Sequence, residues 1–119
     1  MTNPASAELT RAATISACTK YRYSLRRTWQ EGGRVVCFIM LNPSTADADI
    51  DDPTIRRCVG FGKSWGYDAL EVVNLFAWRE TEPKFLITPS DPIGPDNDGA
   101  ILEASGRAEL VVCAWGSHA

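Results

Sequence analysis

The chain has 119 residues, of which 45% are hydrophobic, and a formal net charge of −3. This suits one modest globular domain, and the acidic balance excludes a global attraction to nucleic acid, so any phosphate contact must be local. No apolar stretch approaches the roughly 20 residues of a membrane-spanning helix, and residues 1–7 lack the pattern of a secretory signal. We therefore expect a cytoplasmic protein with no membrane partner.

Cysteine spacing argues against a structural metal site. The four cysteines lie far apart and never form a C-x-x-C pair, which structural zinc sites commonly use. We expect free, buried thiols in a reducing compartment, and no metal or other cofactor. The cysteines are Cys18, Cys37, Cys58 and Cys113.

The first two apolar segments, residues 21–29 and 35–41, predict a β-hairpin closed by a Glu-Gly-Gly turn. The first strand carries Arg22, Arg26 and Arg27, and we expect it at the edge of the sheet. Basic residues on an edge strand commonly guard against aggregation, and phosphate binding is the alternative explanation for them. Segment 35–41 is continuously apolar, as expected for a strand covered on both faces.

A helix follows the second strand. Asp52 and Pro53 form an N-cap and first-turn pair, which predicts a helix over residues 53–65. Ile55 and Val59 are spaced to face the sheet. The acidic run before the helix fits no defined calcium loop, and we expect a solvated turn there.

The second half of the chain continues the α/β alternation. Residues 69–76 predict a strand parallel to 35–41, residues 77–98 a loop, 99–106 a helix capped by 96–98, and 109–115 the last strand. The sequence therefore predicts a single α/β domain over residues 1–119. Its expected architecture is a three-layer sandwich with a mostly parallel central sheet and an N-terminal antiparallel hairpin strand.

Polar residues follow three of the predicted strands. Asn42 comes after the second strand, Asn74 lies at the end of the third, and Trp115 and Gly116 end the last. In an open α/β sheet, ligands bind at the carboxyl ends of parallel strands. We therefore predict one polar site built from these three loops.

Five ordered motifs support a family resemblance. The chain resembles an uncharacterised bacterial and phage domain family, a domain of unknown function. That family continues past its W-G motif through another helix to a histidine-proline segment, so the resemblance implies that this chain is C-terminally incomplete. The matching motifs are L-N-P-S-T-A-D at 41–47, D-P-T-x-x-R at 52–57, N-L-F-A-x-R at 74–79, N-D at 97–98 and A-W-G at 114–116.

A second resemblance, to the uracil-DNA glycosylase superfamily, rests on motif order. Asn42-Pro43, Asn74 and the W-G-S segment at 115–117 are similar to its water-activating loop, its base-reading asparagine and a strand-closing segment. This resemblance implies a uracil-DNA-glycosylase-like fold and hydrolysis of an N-glycosidic bond. Such a reaction passes through an oxocarbenium-like sugar and needs a positioned water.

The candidate catalytic residues are oxygen-bearing side chains near the first of these loops. Asn42, Asp47 and Asp52 can each position a water for attack. Two of them also have a structural explanation, because Asn42 can satisfy backbone groups in a turn and Asp52 can cap the following helix. For Asp52 the cap is the favoured interpretation.

The candidate binding residues lie on the neighbouring loops. Asn74 offers an amide donor and acceptor to the edge of a base, Phe76 can stack on it, and Arg56 or Arg79 can hold a phosphate. Alternatively, Asn74 bonds loop backbone, Phe76 packs in the core and Arg79 pairs with surface carboxylates. The remaining motif positions predicted to contact a substrate are Pro43, Ser44, Thr45, Asn97, Asp98, Trp115 and Gly116.

Three functions fit these residues. The first is a glycosylase-like enzyme acting on a nucleobase, nucleotide or nucleic acid. The second is a module that binds such a ligand without chemistry, and the third is a phage or mobile-element domain that binds another protein. His118, the only histidine, is expected to be a solvated terminal residue.

Overall fold

A computed structural model describes residues 9–79 and 90–116. These residues form five strands and two helices. Neither helix is long and apolar enough to cross a membrane. The elements are β1 (Thr10–Ile15), β2 (Arg22–Thr28), β3 (Val35–Met40), α1 (Pro53–Ser64), β4 (Ala69–Asn74), α2 (Asn97–Arg107) and β5 (Leu110–Cys113).

The strands form one mixed sheet in the order β1-β2-β4-β3-β5. β3 pairs in parallel with β4 on one side and with β5 on the other. The carboxyl ends of these three strands therefore lie at the same edge of the sheet, as the sequence predicts. β4 is the middle strand, and all six of its residues are buried.

The two helices cover opposite faces of the sheet. Val36 and Phe38 pack with Ile55 of α1 on one face, which we call the α1 face. Cys37 packs with Ala104 of α2 on the other, the α2 face. Successive residues of β3 point to opposite faces, so its unbroken apolar run serves two cores. The three predicted layers are therefore present.

The start of α1 follows its sequence signal. The Asp52 side chain accepts a hydrogen bond of 2.8 Å from the Ile55 amide, and Pro53 occupies the first turn. Ile55 and Val59 are buried against the sheet. The predicted cap, helix and buried face are confirmed, and the helix ends at Ser64 with Trp65 as its C-cap.

The predicted hairpin is wrong in its pairing. β2 pairs antiparallel with β1 and β4, and β4 separates it from β3. β1, whose small and polar residues give a weak strand signal, takes the edge that we expected β2 to occupy. The sheet therefore has two antiparallel and two parallel strand pairs, and is mixed rather than mostly parallel.

The connection from β2 to β3 passes around Asp68, the residue just before β4. The Asp68 carbonyl accepts hydrogen bonds from the Trp29 and Gln30 amides, and its carboxylate accepts one of 2.8 Å from the Arg34 amide. Gly33 leaves room for this carboxylate, because a Cβ at that position would collide with it. These contacts hold β2 and β3 on either side of β4.

The cysteines only partly match expectation. Cys37 and Cys58 are buried, and burial raises the pKa of each thiol to about 11. Cys18 and Cys113 are exposed, because one lies in the turn between β1 and β2 and the other on the edge strand β5. The prediction of four buried thiols is therefore wrong for these two.

Candidate functional site

The loops after β3, β4 and β5 meet at the carboxyl edge of the sheet. The Leu75 amide donates to the Met40 carbonyl at 2.9 Å, and the Phe76 amide donates to the Leu41 carbonyl at 2.9 Å. On the other side of β3, the Ala114 amide donates to Ile39 at 2.7 Å. The three segments are therefore neighbours, as parallel pairing requires.

Asn74 is the last residue of β4 and is only 1% exposed. It pairs in register with Met40, which packs against the α1-face core, so its side chain lies on that face. Within the part of the chain that the structure describes, neither its Nδ2 nor its Oδ1 has a hydrogen-bond partner. A buried polar group left unpaired costs about 1–3 kcal/mol, so this amide needs an explanation.

Asn97, the first residue of α2, is hydrogen-bonded to the same end of β4. Its Nδ2 donates to the Asn74 carbonyl at 2.8 Å and to the Leu75 carbonyl at 3.2 Å. The residue is fully buried, and its Oδ1 has no partner among the described residues. The two asparagines that the sequence singled out are therefore brought into contact. Asp98, one residue on, is exposed.

Arg22 adds a buried cation to this edge, although the sequence predicted an edge strand for it. Its side chain donates from one terminal nitrogen to the Ala46 carbonyl at 3.0 Å, and its Nε has no partner in the described residues. The residue is 2% exposed, and burial lowers the pKa of its guanidinium to about 10, against the opposing effect of nearby Asp52.

A register shift explains how Arg22 reaches this loop. Thr14 pairs with Ser24, whereas the next residue, Ile15, pairs with Arg22, so β2 carries one extra residue at this point. The shift lets Arg22 and Arg27 reach the same loop although their odd spacing predicts opposite faces. A bulge of this kind leaves no signal in the sequence.

Arg27 lies fully buried near the other end of β2 and holds the loop between β3 and α1. Its Nε donates to the Asp51 carboxylate at 2.6 Å. Its terminal nitrogens donate to the backbone carbonyls of Ala12, Arg26, Asp47 and Ile50. All five of its N–H groups therefore have acceptors, and four of these acceptors are backbone carbonyls.

The predicted catalytic carboxylates are engaged in building this loop. One oxygen of Asp52 accepts from Ile55, as described above, and the other accepts from the Ala46 amide at 3.2 Å. Asp47 Oδ1 accepts from the Asp49 and Ile50 amides at 2.9 and 2.8 Å, and these bonds lower the pKa of its carboxyl group. Both side chains therefore have structural roles.

The other residues of this loop lie close to the strand end. Asn42 is half-buried, and its Nδ2 donates to the Pro43 carbonyl at 3.0 Å. Pro43 is fully buried, Ser44 is half-buried and Thr45 is exposed. The loop thus turns inward at Pro43 and outward at Thr45.

The remaining candidates lie around the rim. Arg79 is half-buried and donates from one terminal nitrogen to the Thr19 carbonyl at 3.2 Å. Arg56 is exposed and donates to the Asp51 carbonyl at 3.4 Å, which directs it along the outside of the loop. Phe76 and Trp115 are half-buried, and Gly116 is exposed. His118 lies outside the described residues.

A cavity of about 350 Å³ lies elsewhere, beside α2 on the α2 face. At its wall, buried Glu71 accepts a 2.6 Å hydrogen bond from Ser24 and pairs with Arg107 at 2.9 Å. Sequence reasoning did not single out this cluster. Because its polar groups satisfy one another, it gives a weaker indication of a ligand than the unpaired groups at the carboxyl edge.

The comparisons with known proteins agree with the family resemblance. Residues 22–119 match the family described as protein of unknown function DUF1643. No curated protein and no solved structure matches the chain. The matched region contains the whole carboxyl edge, from Arg22 on β2 to Gly116 after β5.

Proposed function

We propose that this chain, which belongs to the DUF1643 family, binds a nucleobase or nucleotide at the carboxyl edge of its sheet. The observation that carries this proposal is the Asn74 side chain, whose donor and acceptor are both buried and unpaired. Such an amide matches a ligand that presents an acceptor next to a donor, as the edges of nucleobases do. The cost of leaving Asn74 unpaired would be recovered when the ligand binds.

The surroundings of Asn74 suit a flat ligand. Phe76, two residues further on, is half-buried and available for stacking on a base. The Asn97 Oδ1 supplies a second buried acceptor beside the Asn74 backbone. Because Asn74 is 1% exposed, the loops above it must open to admit the ligand. We therefore expect slow association and selection by hydrogen bonding, since a ligand of the wrong pattern leaves the amide unpaired.

Binding is favoured over hydrolysis because of the carboxylates. Hydrolysis of an N-glycosidic bond needs an acceptor that holds water. Both oxygens of Asp52 already accept backbone amides, and the lowered pKa of Asp47 makes its carboxylate a weak base. A glycosylase-like activity is the second proposal. It is supported by the position of Asn42. This residue directly follows Leu41, whose carbonyl accepts a hydrogen bond from the Phe76 amide, so Asn42 lies beside the loop that follows β4.

Calorimetric titration with a panel of nucleobases, nucleosides and nucleotides tests the proposal. Asn74→Leu removes the amide at similar volume and should abolish the binding seen for the unchanged chain. The matched control is Gln30→Leu, which makes the same kind of change at an exposed position near the opposite edge of the sheet and should bind normally. Equal binding by both variants, or none by the unchanged chain, would contradict the proposal.

A separate assay decides between binding and hydrolysis. Each ligand that binds, and uracil-containing DNA in single and double strands, is incubated with the chain, and released base is measured by chromatography. The preferred proposal predicts no release. Release that is lost in Asn42→Ala with the fold intact would establish the glycosylase-like activity instead.

A further inference from the structure

We propose that the ligand carries an anionic oxygen group, a phosphoryl or a carboxylate, and that Arg22 binds it together with Arg79. This inference rests on the proposed function and narrows it, because a free base or a nucleoside lacks such a group. It makes Arg22, for which the sequence left both an edge guard and phosphate binding open, a determinant of ligand class.

The first support is that Arg22 is buried without a direct ion pair. A buried cation is normally paired with a carboxylate. Arg22 is 2% exposed, yet the ion pairs found within residues 9–79 and 90–116 do not include it. One terminal nitrogen of its side chain donates to the neutral carbonyl of Ala46, and its Nε has no partner among the described residues. An anionic ligand would supply the missing partner.

The nearby carboxylates do not take this role. Asp52 and Asp47 are close enough to favour the charged form of Arg22. However, Asp52 directs its two oxygens to the Ile55 and Ala46 amides, and Asp47 bonds to amides of its own loop. These backbone hydrogen bonds hold the two carboxylates in place, and neither of them forms an ion pair with Arg22 in the described residues.

A second cation lies beside Arg22. The Arg22 amide donates to the Ala77 carbonyl at 2.9 Å, and Arg79 follows Ala77 by two residues, so the two arginines lie on neighbouring segments. The positive charge of Arg79 accordingly disfavours the charged form of Arg22 and lowers its pKa. Two guanidinium groups close together repel each other unless an anion lies between them. Guanidinium groups also match the oxygens of phosphate and carboxylate geometrically.

The two arginines are held next to the Asn74 strand end. The Arg22 amide donates to the Ala77 carbonyl at 2.9 Å, and the Arg79 amide donates to Lys20 at 2.9 Å. Ala77 and Arg79 belong to the segment that directly follows Asn74. A ligand whose base contacts Asn74 would therefore extend its anionic group toward Arg22 and Arg79.

Comparing ligands that differ only in charge tests the inference. The probes are a nucleoside, its 5′-monophosphate, the free base, the same base bearing a carboxylate, and inorganic phosphate. We expect the monophosphate or the carboxylated base to bind about tenfold or more tightly than its neutral counterpart, since hydrogen bonds to charged groups are the strong ones. If the monophosphate shows the increase in affinity, the anion is a phosphoryl group; if the carboxylated base shows it, the anion is a carboxylate.

Three variants locate the effect. Arg22→Gln and Arg79→Gln should each remove most of the gain from the anion. Arg57→Gln, at an exposed position on α1 outside the site, is the control and should keep the gain. If Arg22→Gln fails to fold, as circular dichroism would reveal, Arg79→Gln and Arg22→Lys carry the test, because lysine keeps the charge and loses the planar group.

The outcomes separate this inference from the proposed function. Neutral and anionic ligands that bind equally would overturn the inference and leave base recognition standing. Binding of inorganic phosphate that is lost in Arg79→Gln, with no binding of any base, would support the anion site and overturn the nucleobase proposal. A gain from the anion that persists in both arginine variants would also overturn the inference.

Discussion

Two buried arginines on β2 illustrate the difference between a structural region and a binding region. Arg27 is fully buried and uses all five N–H groups on Asp51 and on backbone carbonyls. Arg22 is almost as deeply buried, but its Nε is unpaired and the described residues offer it no ion pair. The same residue type on the same strand therefore has its hydrogen bonds complete at one end and incomplete at the other.

The comparison extends to the residues around each arginine. Near Arg27, the loop carboxylates and backbone groups satisfy one another. Near Arg22, the amides of Asn74 and Asn97 also have unpaired atoms. Native proteins leave few buried polar groups unpaired, so a group of them at one sheet edge points to a ligand rather than to stability.

Replacing the two arginines in turn gives the largest contrast. Arg27→Met leaves the Asp51 carboxylate with only its 3.3 Å contact to Arg11 and releases four carbonyls, so we expect a loss of about 3–5 kcal/mol in the free energy of unfolding. Arg22→Met removes a buried charge that has no ion pair, so its change should be far smaller or stabilising. Urea denaturation measures both. Equal losses would show that Arg22 is as structural as Arg27.

Acid titration sharpens the account of the Arg27 region. Burial raises the pKa of the Asp51 carboxyl, and hydrogen bonds from Arg27 and Arg11 outweigh it, so the pKa lies below 3.8 in the folded protein. A lowered carboxyl pKa gives stability that is complete above its unfolded value and is lost as the pH falls below it. Between pH 7 and pH 2, the unchanged chain should therefore lose more stability than Asp51→Asn. Parallel losses would contradict this assignment.

Asn97 combines features of the structural region and the binding region, since its Nδ2 has hydrogen-bond partners and its Oδ1 has none among the described residues. Asn97→Ala removes two hydrogen bonds to carbonyls at the end of β4, so we expect it to lower the free energy of unfolding by about 1–3 kcal/mol. Thermal denaturation followed by circular dichroism measures this change. The control Asp98→Ala, one residue along α2 at an exposed position, should stay within about 0.5 kcal/mol of the unchanged chain.

The sequence predicts what local signals encode. Asp52 with Pro53 specifies the start of α1, and apolar runs joined by a helix specify that β3 and β4 are parallel. The edge that collects Asn42 and Asn74 follows from the parallel pairing of β3 and β4. Strand order does not follow, because β1 has weak strand character and β2 pairs with strands distant in the chain.

The sequence predicts only part of the candidate site. Asn74 is found because it ends an apolar strand, but that both of its amide atoms lack partners depends on packing that no spacing reveals. The sequence predicts that Arg22 lies on an edge strand. In the structure β1 pairs with β2 and takes the edge, and the register shift directs the Arg22 side chain toward the loop before α1. The role of Asp52 was open between catalysis and a helix cap, and Asp47 was a catalytic candidate; the backbone hydrogen bonds of both carboxylates favour a structural role.

The most direct test of the central claim is the unfolding free energy of Asn74→Leu, measured with and without the nucleotide that binds most tightly. Since the amide is unpaired, the account predicts that the ligand-free variant is as stable as the unchanged chain, or more stable by up to about 3 kcal/mol. The nucleotide should stabilise only the unchanged chain. A variant that is several kcal/mol less stable, or that is stabilised equally by the nucleotide, would contradict the claim that Asn74 is kept for a ligand.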